Sequence, residues 1–397
     1  MRATTSRTIL AGAVAGALAL PGSATAAVPC GGSFAEFRAA MADEARARGY
    51  QPELVQRFFD GVRQDPAVLR ADRAQGIFQT PFVDFARTLI SGYRLQQGAA
   101  NASRHAGIFD RVEATYGVPR GILLAFWAFE TDYGAVQGDY NTVDALMTLA
   151  HDCRRPDLFR PEVFAALELF GRGALDPDRT TGAWAGEIGM VQMLPADILA
   201  HGQDGDGDGR VTLKTSVADA LMSGGALLQA LGWRAGEPWL QEVTVPEGVD
   251  WSLSGLRTER PAADWAALGV RPRSGALTGE LPASLIVPQG RFGPAFLAYP
   301  NFRVLFEWNQ SFVYVATAAY FATRLEGAPV FDAGRPAPGL GAAQMEELQR
   351  RLQARGHDVG GIDGILGAKT RAAVQAEQER LGLPADAWPT AELLRRL

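Results

Sequence analysis

Apolar residues recur three or four positions apart over much of the first half of the chain, the spacing of one face of an α-helix. Two predicted helices have the pattern most clearly: Phe34, Phe37, Met41 and Ala45 in the first, and Val163, Leu167 and Phe170 in the second. Such faces pack against one another in helical domains. The region from Ser33 to about Leu240 is therefore predicted to be mainly α.

The pattern changes between Glu237 and Gly293, where proline and glycine separate short apolar runs. Gln241–Val245 and Leu285–Val287 are predicted to be short strands in an irregular insert. Helical sequence, rich in aromatic residues, returns over Asn301–Arg324. The fold class expected is thus a helical core with a small strand-containing insert.

The first 26 residues have the three-part pattern of a cleavable secretory signal. Arg2 and Arg7 precede the apolar run Ile9–Leu20, and small residues follow over Ala24–Ala26 for cleavage after Ala26. The run is short for a membrane span, and no later segment approaches the length required. We therefore expect export to the periplasm and no transmembrane segment.

Export would place the two cysteines of the chain, Cys30 and Cys153, in an oxidising compartment. Such a compartment favours a disulfide between the two residues, and two buried free thiols are the alternative. Val28-Pro29 fits poorly before a lipid-bearing cysteine, so Cys30 is not expected to anchor the chain to a membrane.

Composition narrows the classes of function. The 397 residues are 47% hydrophobic and 21% charged, an ordinary globular composition whose length suggests two or three domains. The net charge of -6 leaves no basic excess, which argues against nucleic acid as a partner.

The most informative segment is the apolar run between Pro119 and Gly134, which suit the first turn and the end of a helix. The run is apolar on every face, so the helix should be buried, and Glu130 stands near its end. Desolvation would raise the pKa of this carboxyl into the range where it protonates a glycosidic oxygen and later acts as a base. An exposed helix end is the alternative. Asp132 points to another face and is expected to be solvated or structural.

A second group of carboxylates predicts a metal site. The run 204–210 has aspartate at positions one, three and five of a calcium loop of the EF-hand type, glycine at six and a backbone carbonyl at seven. Thr215 at position twelve is no bidentate ligand, so Asp219 is its expected substitute. The predicted ligands are Asp204, Asp206, Asp208, the carbonyl of Arg210, and Asp219. We expect a structural Ca²⁺; a metal-free acidic turn is the alternative, and the sequence has no Cys/His cluster for zinc.

Four ordered motifs resemble those of B-type lytic murein transglycosylases. They are Trp127-x-x-Glu130-Thr131-x-Tyr133-Gly134; Asp144-Ala145-Leu146-x-Thr148-Leu149-Ala150 with Arg154-Arg155-x-x-x-Phe159; Trp184-Ala185-Gly186-x-x-Gly189-x-x-Gln192-x-x-Pro195; and Trp308-Asn309-x-Ser311. The resemblance spans about Phe34 to Leu325. Members of that family carry a slightly elongated calcium loop, so the resemblance also implies such a loop here.

The resemblance implies a lysozyme-like helical core, with residues 27–330 as the catalytic region and Glu130 as the single catalytic carboxylate. Such enzymes cleave the β-1,4 bond from N-acetylmuramic acid to N-acetylglucosamine. The muramyl 6-hydroxyl captures the cationic sugar and gives a 1,6-anhydro product, so no catalytic cofactor is implied. This internal nucleophile replaces the second carboxylate of ordinary glycosidases.

The resemblance also assigns substrate-binding roles, each with a plainer alternative. Arg154 and Arg155 would bind anions or sugars, or be surface charges on a helix. Gln192 and Asn309 would hydrogen-bond substrate amides or hydroxyls, or be buried core amides. Trp308 would stack on a sugar face or pack in a helix core.

Two positions depart from the family pattern. Ala183 stands where serine is common near the catalytic carboxyl, which puts one hydrogen bond in doubt. Glu187 stands where small residues are common. In the groove it would raise the pKa of Glu130 further and could permit hydrolysis as a second carboxylate. A surface position is the plainer reading, and we favour it for Glu187.

Residues 331–341 are rich in proline and glycine and predict a linker to a helical unit over residues 342–397. The first helix of that unit carries three apolar residues on one face and ends at Gly356: Met345, Leu348 and Leu352. A later motif resembles the small peptidoglycan-binding domain (type 1) of wall enzymes: Ile362-Asp363-Gly364-x-x-Gly367-x-x-Thr370-x-x-Ala373-Val374. Glu377 replaces an aromatic residue and Ala387 a glycine of that pattern, so affinity is expected to be weakened. A generic helical docking domain is the alternative.

Three functions follow from these features. The favoured one is a monomeric lytic transglycosylase that acts on peptidoglycan glycan strands. A hydrolytic muramidase would use the same fold, and a non-catalytic wall-binding protein would keep both domains without turnover.

Overall fold

The computed structural model describes residues 28–74 and 79–397, and the predicted secretory signal lies outside these residues. The helices are α1 (Phe34–Ala47), α2 (Pro52–Phe59), α3 (Pro66–Arg73), α4 (Phe82–Leu89), α5 (Gly92–Arg104), α6 (Ala106–Tyr116), α7 (Arg120–Thr131), α8 (Thr142–His151), α9 (Pro156–Gly171), α10 (Pro195–His201), α11 (Val217–Ala230), α12 (Ala262–Ala267), α13 (Pro300–Trp308), α14 (Phe312–Leu325), α15 (Ala342–Ala354), α16 (Ala368–Arg380) and α17 (Ala391–Arg396). The strands are β1 (Tyr140–Asn141), β2 (Thr181–Gly182), β3 (Leu240–Thr244), β4 (Arg260–Pro261), β5 (Arg271–Pro272), β6 (Pro282–Ile286) and β7 (Ala295–Ala298).

Helix α7 lies at the centre of the larger hydrophobic core. It is apolar around its circumference, and every residue from Gly121 to Ala128 is buried. It packs on α14, which is buried along most of its length. Gly121 permits the close approach, because a Cβ there would lie 2.8 Å from the backbone oxygen of Ala322. This packing fixes the last turn of α7, which carries Glu130.

A second core lies among α1, α2, α8 and α9. The helical faces expected from the sequence form part of it, with Phe37 and Met41 of α1 and Val163 and Leu167 of α9 all buried. Ile198 of α10 packs against both cores and so joins them.

The insert forms a five-stranded antiparallel sheet in the order β4-β6-β7-β3-β5. Trp265 of α12 is fully buried against it and donates a hydrogen bond from Nε1 to the Ala283 oxygen at 2.9 Å. Strand β7 leads directly into α13, so the sheet is joined without a free loop to the helix that ends at Trp308.

The C-terminal helices α15–α17 enclose a small core of their own. The preceding segment, residues 331–341, is irregular as the predicted linker requires, but it is packed rather than free. Phe331 lies 4.8 Å from the ring of Tyr320, centroid to centroid, and Trp388 Nε1 donates to the Ala337 oxygen at 2.9 Å. These contacts hold the C-terminal unit against the rest of the molecule.

Two departures from the peptidoglycan-binding pattern have a structural basis. Ala387 has a φ of 58°, in the left-handed region where glycine is the residue of least strain. Glu377 is buried and pairs with His357 at 2.8 Å and Arg380 at 2.8 Å, so its position is filled by an ionic cluster.

The mainly α fold class with a small sheet is confirmed. The helical sequence predicted over Asn301–Arg324 forms two helices, α13 and α14, separated at Asn309–Ser311. Asn309 Oδ1 accepts a hydrogen bond from the Ser311 nitrogen at 2.9 Å, and Ser311 caps α14. Across residues 28–74 and 79–397, no helix combines the length and apolar character needed to cross a membrane.

Candidate active site

A groove of about 970 Å³ runs between the helical cores and the C-terminal unit. Its walls are the end of α7, the loop before α10, the break between α13 and α14, and the loop that leads into α16. It brings together five of the predicted site residues: Glu130, Arg155, Gln192, Trp308 and Asn309. Arg154, the sixth, does not line it.

Glu130 lies in the last turn of α7 and is partly exposed at the groove. Its Oε1 accepts hydrogen bonds from the Tyr314 hydroxyl at 2.5 Å and from Trp308 Nε1 at 3.2 Å. Burial raises the pKa of Glu130 to about 7; the two hydrogen bonds oppose this rise, and the charge of Glu187 adds to it. The carboxyl therefore gains and loses its proton near neutral pH, which suits an acid that must later act as a base.

Two aromatic residues hold this carboxyl. The ring of Trp308 stacks on Phe126 with centroids 4.4 Å apart, so it packs on the core while its N–H points at Glu130. Burial and the neighbouring Glu130 raise the pKa of Tyr314 well above its ordinary value, so its hydroxyl remains a donor. Tyr314 was not among the predicted site residues; its signal in the sequence is a tyrosine one turn after the Asn309-x-Ser311 motif.

A glycine-rich hairpin brings Glu187 into the groove. Ala183 donates from its nitrogen to the Glu187 oxygen at 2.9 Å, and a Cβ on Gly182 would lie 1.9 Å from that same oxygen. Glu187 lines the groove, so the expected surface position is wrong. Its Oε2 is buried without a hydrogen-bond partner, and burial raises its pKa. Ala183 lines the groove as well and offers no hydroxyl there.

Gln192 lies at the end of this loop with a φ of 54°, and its Nε2 donates to the Gly189 oxygen at 2.8 Å. The loop is tied to α7 because Thr131 Oγ1 donates to the Met190 oxygen at 2.6 Å. Gln192 and Glu130 thus belong to one rigid arrangement.

Arg154 and Arg155 both pair with Asp72, a fully buried carboxylate on α3. Arg154 Nε lies 2.9 Å from Asp72 Oδ2, and Arg155 bonds Oδ1 of the same group. Arg155 lines the groove, whereas Arg154 does not line it and contacts Asp72. Asp72 was not among the predicted site residues, although its place four residues after the buried Val68 puts it on the inner face of α3.

Comparison with known proteins agrees with this geometry. Residues 33–323 match the family model of the Transglycosylase SLT domain, and residues 341–397 match that of a peptidoglycan binding domain. The chain belongs to the SLT-domain transglycosylase family. The resemblance drawn from the four motifs and from the C-terminal unit is confirmed.

Several relatives place the chain within the family. SltB3 from Pseudomonas aeruginosa, solved in complex with NAG-anhNAM-pentapeptide, is 38% identical, with a TM-score of 0.84 over 92% of this chain and 99% of that one. Membrane-bound lytic murein transglycosylase B of Escherichia coli (strain K12) is 27% identical over 57% of this chain; the match spans only 62% of that protein. Escherichia coli Slt35 in complex with calcium shares the fold, with 24% identity and a TM-score of 0.64 over 76% of this chain and 97% of that one.

The segment 204–219, which we name the acidic loop, brings three carboxylates together. Asp204, Asp206 and Asp219 each offer an oxygen, and these oxygens lie within 4.8 Å of one another. Asp208 stands outside that group, and its Oδ1 accepts a hydrogen bond from the Arg210 nitrogen at 2.8 Å. The donors are all carboxylate oxygens, the type that Ca²⁺ prefers.

The acidic loop also supports the groove. The Leu213 oxygen accepts a hydrogen bond from the Met190 nitrogen at 2.9 Å, and Lys214 Nζ donates to Thr181 Oγ1 at 2.7 Å. The loop therefore braces both ends of the hairpin that carries Glu187.

Cys30 and Cys153 form a disulfide, with Cα atoms 5.3 Å apart. Next to it, the Gly31 nitrogen donates to the His151 oxygen at 2.8 Å. The disulfide and this hydrogen bond thus attach the N-terminal segment to the loop between α8 and α9, immediately before Arg154.

Proposed function

We propose that the protein is a lytic transglycosylase that cleaves the β-1,4 bond from N-acetylmuramic acid to N-acetylglucosamine in peptidoglycan. One observation carries the proposal: Glu130 is a carboxyl set in a long groove, oriented by Tyr314 and Trp308, with a pKa raised to about 7. The relative SltB3 binds an anhydro-sugar ligand in its crystal, which supports the same product here.

The reaction uses the carboxyl group of Glu130 twice, first as an acid and then as a base. Protonated Glu130 first donates to the glycosidic oxygen, and the C–O bond breaks to leave a cationic muramyl ring. The Glu130 carboxylate then takes the proton of the muramyl C6 hydroxyl while that oxygen bonds to C1. No water is consumed and the starting acid is regenerated. The hydrogen bonds from Tyr314 and Trp308 stabilise the carboxylate between the two steps.

The lining of the groove suggests how the strand is held. Gln192 and Asn309 hydrogen-bond sugar hydroxyls or amides, and Arg155 binds anionic groups while Arg154 keeps Asp72 and Arg155 in place. Residues 359–361 and 365–370 of the C-terminal unit line the same groove, so that unit contacts the strand being cleaved.

A structural Ca²⁺ belongs to this proposal, held by Asp204, Asp206 and Asp219, with Asp208 and the Arg210 carbonyl as further ligands. The ion would neutralise carboxylates that otherwise repel one another. The calcium in the Slt35 structure supports the assignment. Secretion into the periplasm is part of the same proposal, because the substrate lies there and the disulfide suits an oxidising compartment.

The experiment is a digest of purified sacculi with the wild type and with Glu130→Gln. The variant should release no muropeptides while its circular dichroism spectrum stays native. Glu162→Gln is the matched control, because Glu162 is also buried with a pKa raised to about 7 but does not line the groove. Normal turnover by Glu130→Gln would refute the assignment of the acid.

A hydrolytic muramidase is the second candidate, favoured by Glu187 in the groove. As a second carboxylate it would activate water and release reducing ends. Loss of reducing products in Glu187→Gln, with anhydro products retained, would assign it that side reaction.

A further inference from the structure

A second cavity lies beside the groove, where the C-terminal unit meets the insert. It encloses about 500 Å³ between the loop 254–257, the end of β6, α13 and α16. Some residues line both spaces: Glu307, Gln310, Phe312 and Ala368. We name it the side chamber; it opens next to the groove that holds Glu130.

The side chamber has one more cationic than anionic side chain. It is lined by three arginines, Arg257, Arg303 and Arg371, and by two acids, Glu307 and Asp386. Arg303 pairs with Glu259 at 3.0 Å, whereas Arg257 and Arg371 have no carboxylate within 4 Å among the residues that the structure describes. Of the two acids, Asp386 is already paired with Arg291 at 3.2 Å, and Glu307 is exposed.

Arg371 is the more unusual of the two. Its Nε is buried without an acceptor, although another guanidinium nitrogen donates to the Pro288 oxygen at 2.6 Å. Burial lowers the pKa of Arg371 to about 9, which reflects the cost of an uncompensated charge. A buried donor left without a partner destabilises the fold unless a ligand supplies the acceptor.

The side chamber is built before any ligand arrives. The guanidinium of Arg371 lies 4.3 Å from the centre of the Phe312 ring, and Gln375 Nε2 donates to the Ser254 oxygen at 2.8 Å across the joint. Ile286 and Val287 supply an apolar wall. The chamber therefore suits a ligand with small apolar groups and a carboxylate.

We propose that the side chamber binds the carboxylate-bearing peptide that branches from muramic acid in the glycan strand. The inference rests on the proposed function, which sets that strand in the adjacent groove. The peptide carries alanine methyl groups and free carboxylates, which match the apolar wall and the two unpaired arginines. Arg257 and Arg371 are then specificity-determining residues for peptide-bearing over bare glycan.

Kinetics on two substrates test the chamber. One is a soluble peptide-bearing glycan, and the other is the same glycan stripped of peptides by an amidase. Arg257→Gln and Arg371→Gln should each raise KM for the peptide-bearing glycan about fivefold or more, the loss of roughly one charge-assisted hydrogen bond, and leave KM for the stripped glycan unchanged. Arg395→Gln, at an exposed position on α17, should alter neither. Equal effects on both substrates, or none, would overturn the proposal.

A binding measurement covers the case in which Arg371→Gln disturbs the joint. Calorimetric titration of the full chain with the free tetrapeptide L-Ala-γ-D-Glu-meso-diaminopimelate-D-Ala should give binding that Arg257→Gln weakens. Inorganic phosphate should not compete; equal binding of phosphate would mean a general anion site and overturn the peptide assignment. Failure of the wild type to cleave either glycan would refute the proposed function alone, since tetrapeptide binding does not depend on cleavage.

Discussion

At the scale of single residues, Glu130 combines two opposed requirements. Burial at the end of α7 keeps its proton on, whereas Tyr314 and Trp308 donate hydrogen bonds that favour its loss. A carboxyl balanced in this way exchanges a proton near neutral pH. The same balance makes it unfavourable for stability, because the ionised form is held in a poorly solvated place.

Glu130→Gln should therefore stabilise the protein in a pH-dependent way. Below the ordinary pKa of 4.5 the carboxyl is protonated in both the folded and the unfolded chain. As the pH rises toward 7 only the unfolded chain ionises, so the wild type loses stability that glutamine keeps. The difference in unfolding free energy should grow by about 1–3 kcal/mol between about pH 4 and pH 8. Urea denaturation at both pH values measures it, with Glu113→Gln, on the exposed side of α6, as control; a constant difference would contradict the shifted pKa.

Tyr314→Phe should alter the pH dependence of activity. The hydroxyl lowers the pKa of Glu130, so its removal raises that pKa. The alkaline limb of kcat/KM should shift to higher pH, and kcat should fall about tenfold to a hundredfold as the carboxylate loses a donor. Tyr299→Phe removes a hydroxyl from the insert and is the control. An unchanged pH profile in Tyr314→Phe would mean that this hydrogen bond does not tune Glu130.

Single residues were predictable only where a local pattern marked them. Glu130 stood out as one acid in an apolar run. Asp72 and Tyr314 act through partners far away in sequence, and no local spacing reveals such a pairing. Glu187 was predicted wrongly because its direction depends on a tight hairpin built on Gly182, whose geometry the pattern of apolar residues does not encode.

At the scale of elements, the acidic loop and the groove hairpin form one unit. The loop braces the hairpin through Leu213 and Lys214, so a metal ion there acts on the groove at a distance. Periodicity predicted the long helices well. It missed the break at Asn309–Ser311, since polar residues within a helical pattern are ordinary, and only their hydrogen bonds end one helix and start the next.

Removal of calcium should loosen this unit. Chelation with EGTA should lower the melting temperature by several degrees, as expected for the loss of about 1–3 kcal/mol of binding energy, and reduce activity in parallel. Asp206→Asn should reproduce the effect, because Asp206 belongs to the group of three carboxylates. Asp208→Asn, outside that group, should do so less. Melting temperatures indifferent to EGTA and to added Ca²⁺ would leave the loop as a metal-free acidic turn.

At the scale of the whole molecule, both ends of the chain are held against the catalytic region. The disulfide straps its start to the α8–α9 corner, and residues 331–341 fold back so that the C-terminal unit becomes a wall of the groove. The sequence predicted the two domains and the cysteine pair, but composition described the connecting segment only as a linker. Its packing depends on Phe331 and Trp388, which bury their rings against partners on other elements.

Loss of the disulfide should destabilise the fold. The bridge closes a loop between residues 123 positions apart, and restricting a loop of that size contributes about 2–5 kcal/mol. Cys30→Ser with Cys153→Ser should unfold at correspondingly lower urea concentration. Dithiothreitol should shift the wild type toward the variant and leave the variant unchanged; coincident unfolding curves for the oxidised wild type and the variant would show that the strap adds nothing.

In the proposed mechanism the muramyl 6-hydroxyl, and not water, completes the reaction begun by Glu130. Digestion of sacculi in H₂¹⁸O followed by mass spectrometry of the released muropeptides tests it directly. We expect 1,6-anhydro ends that contain no ¹⁸O and are lighter than hydrolysed ends by one water. Reducing ends labelled with ¹⁸O as the main product would contradict this mechanism and assign the groove to a hydrolase.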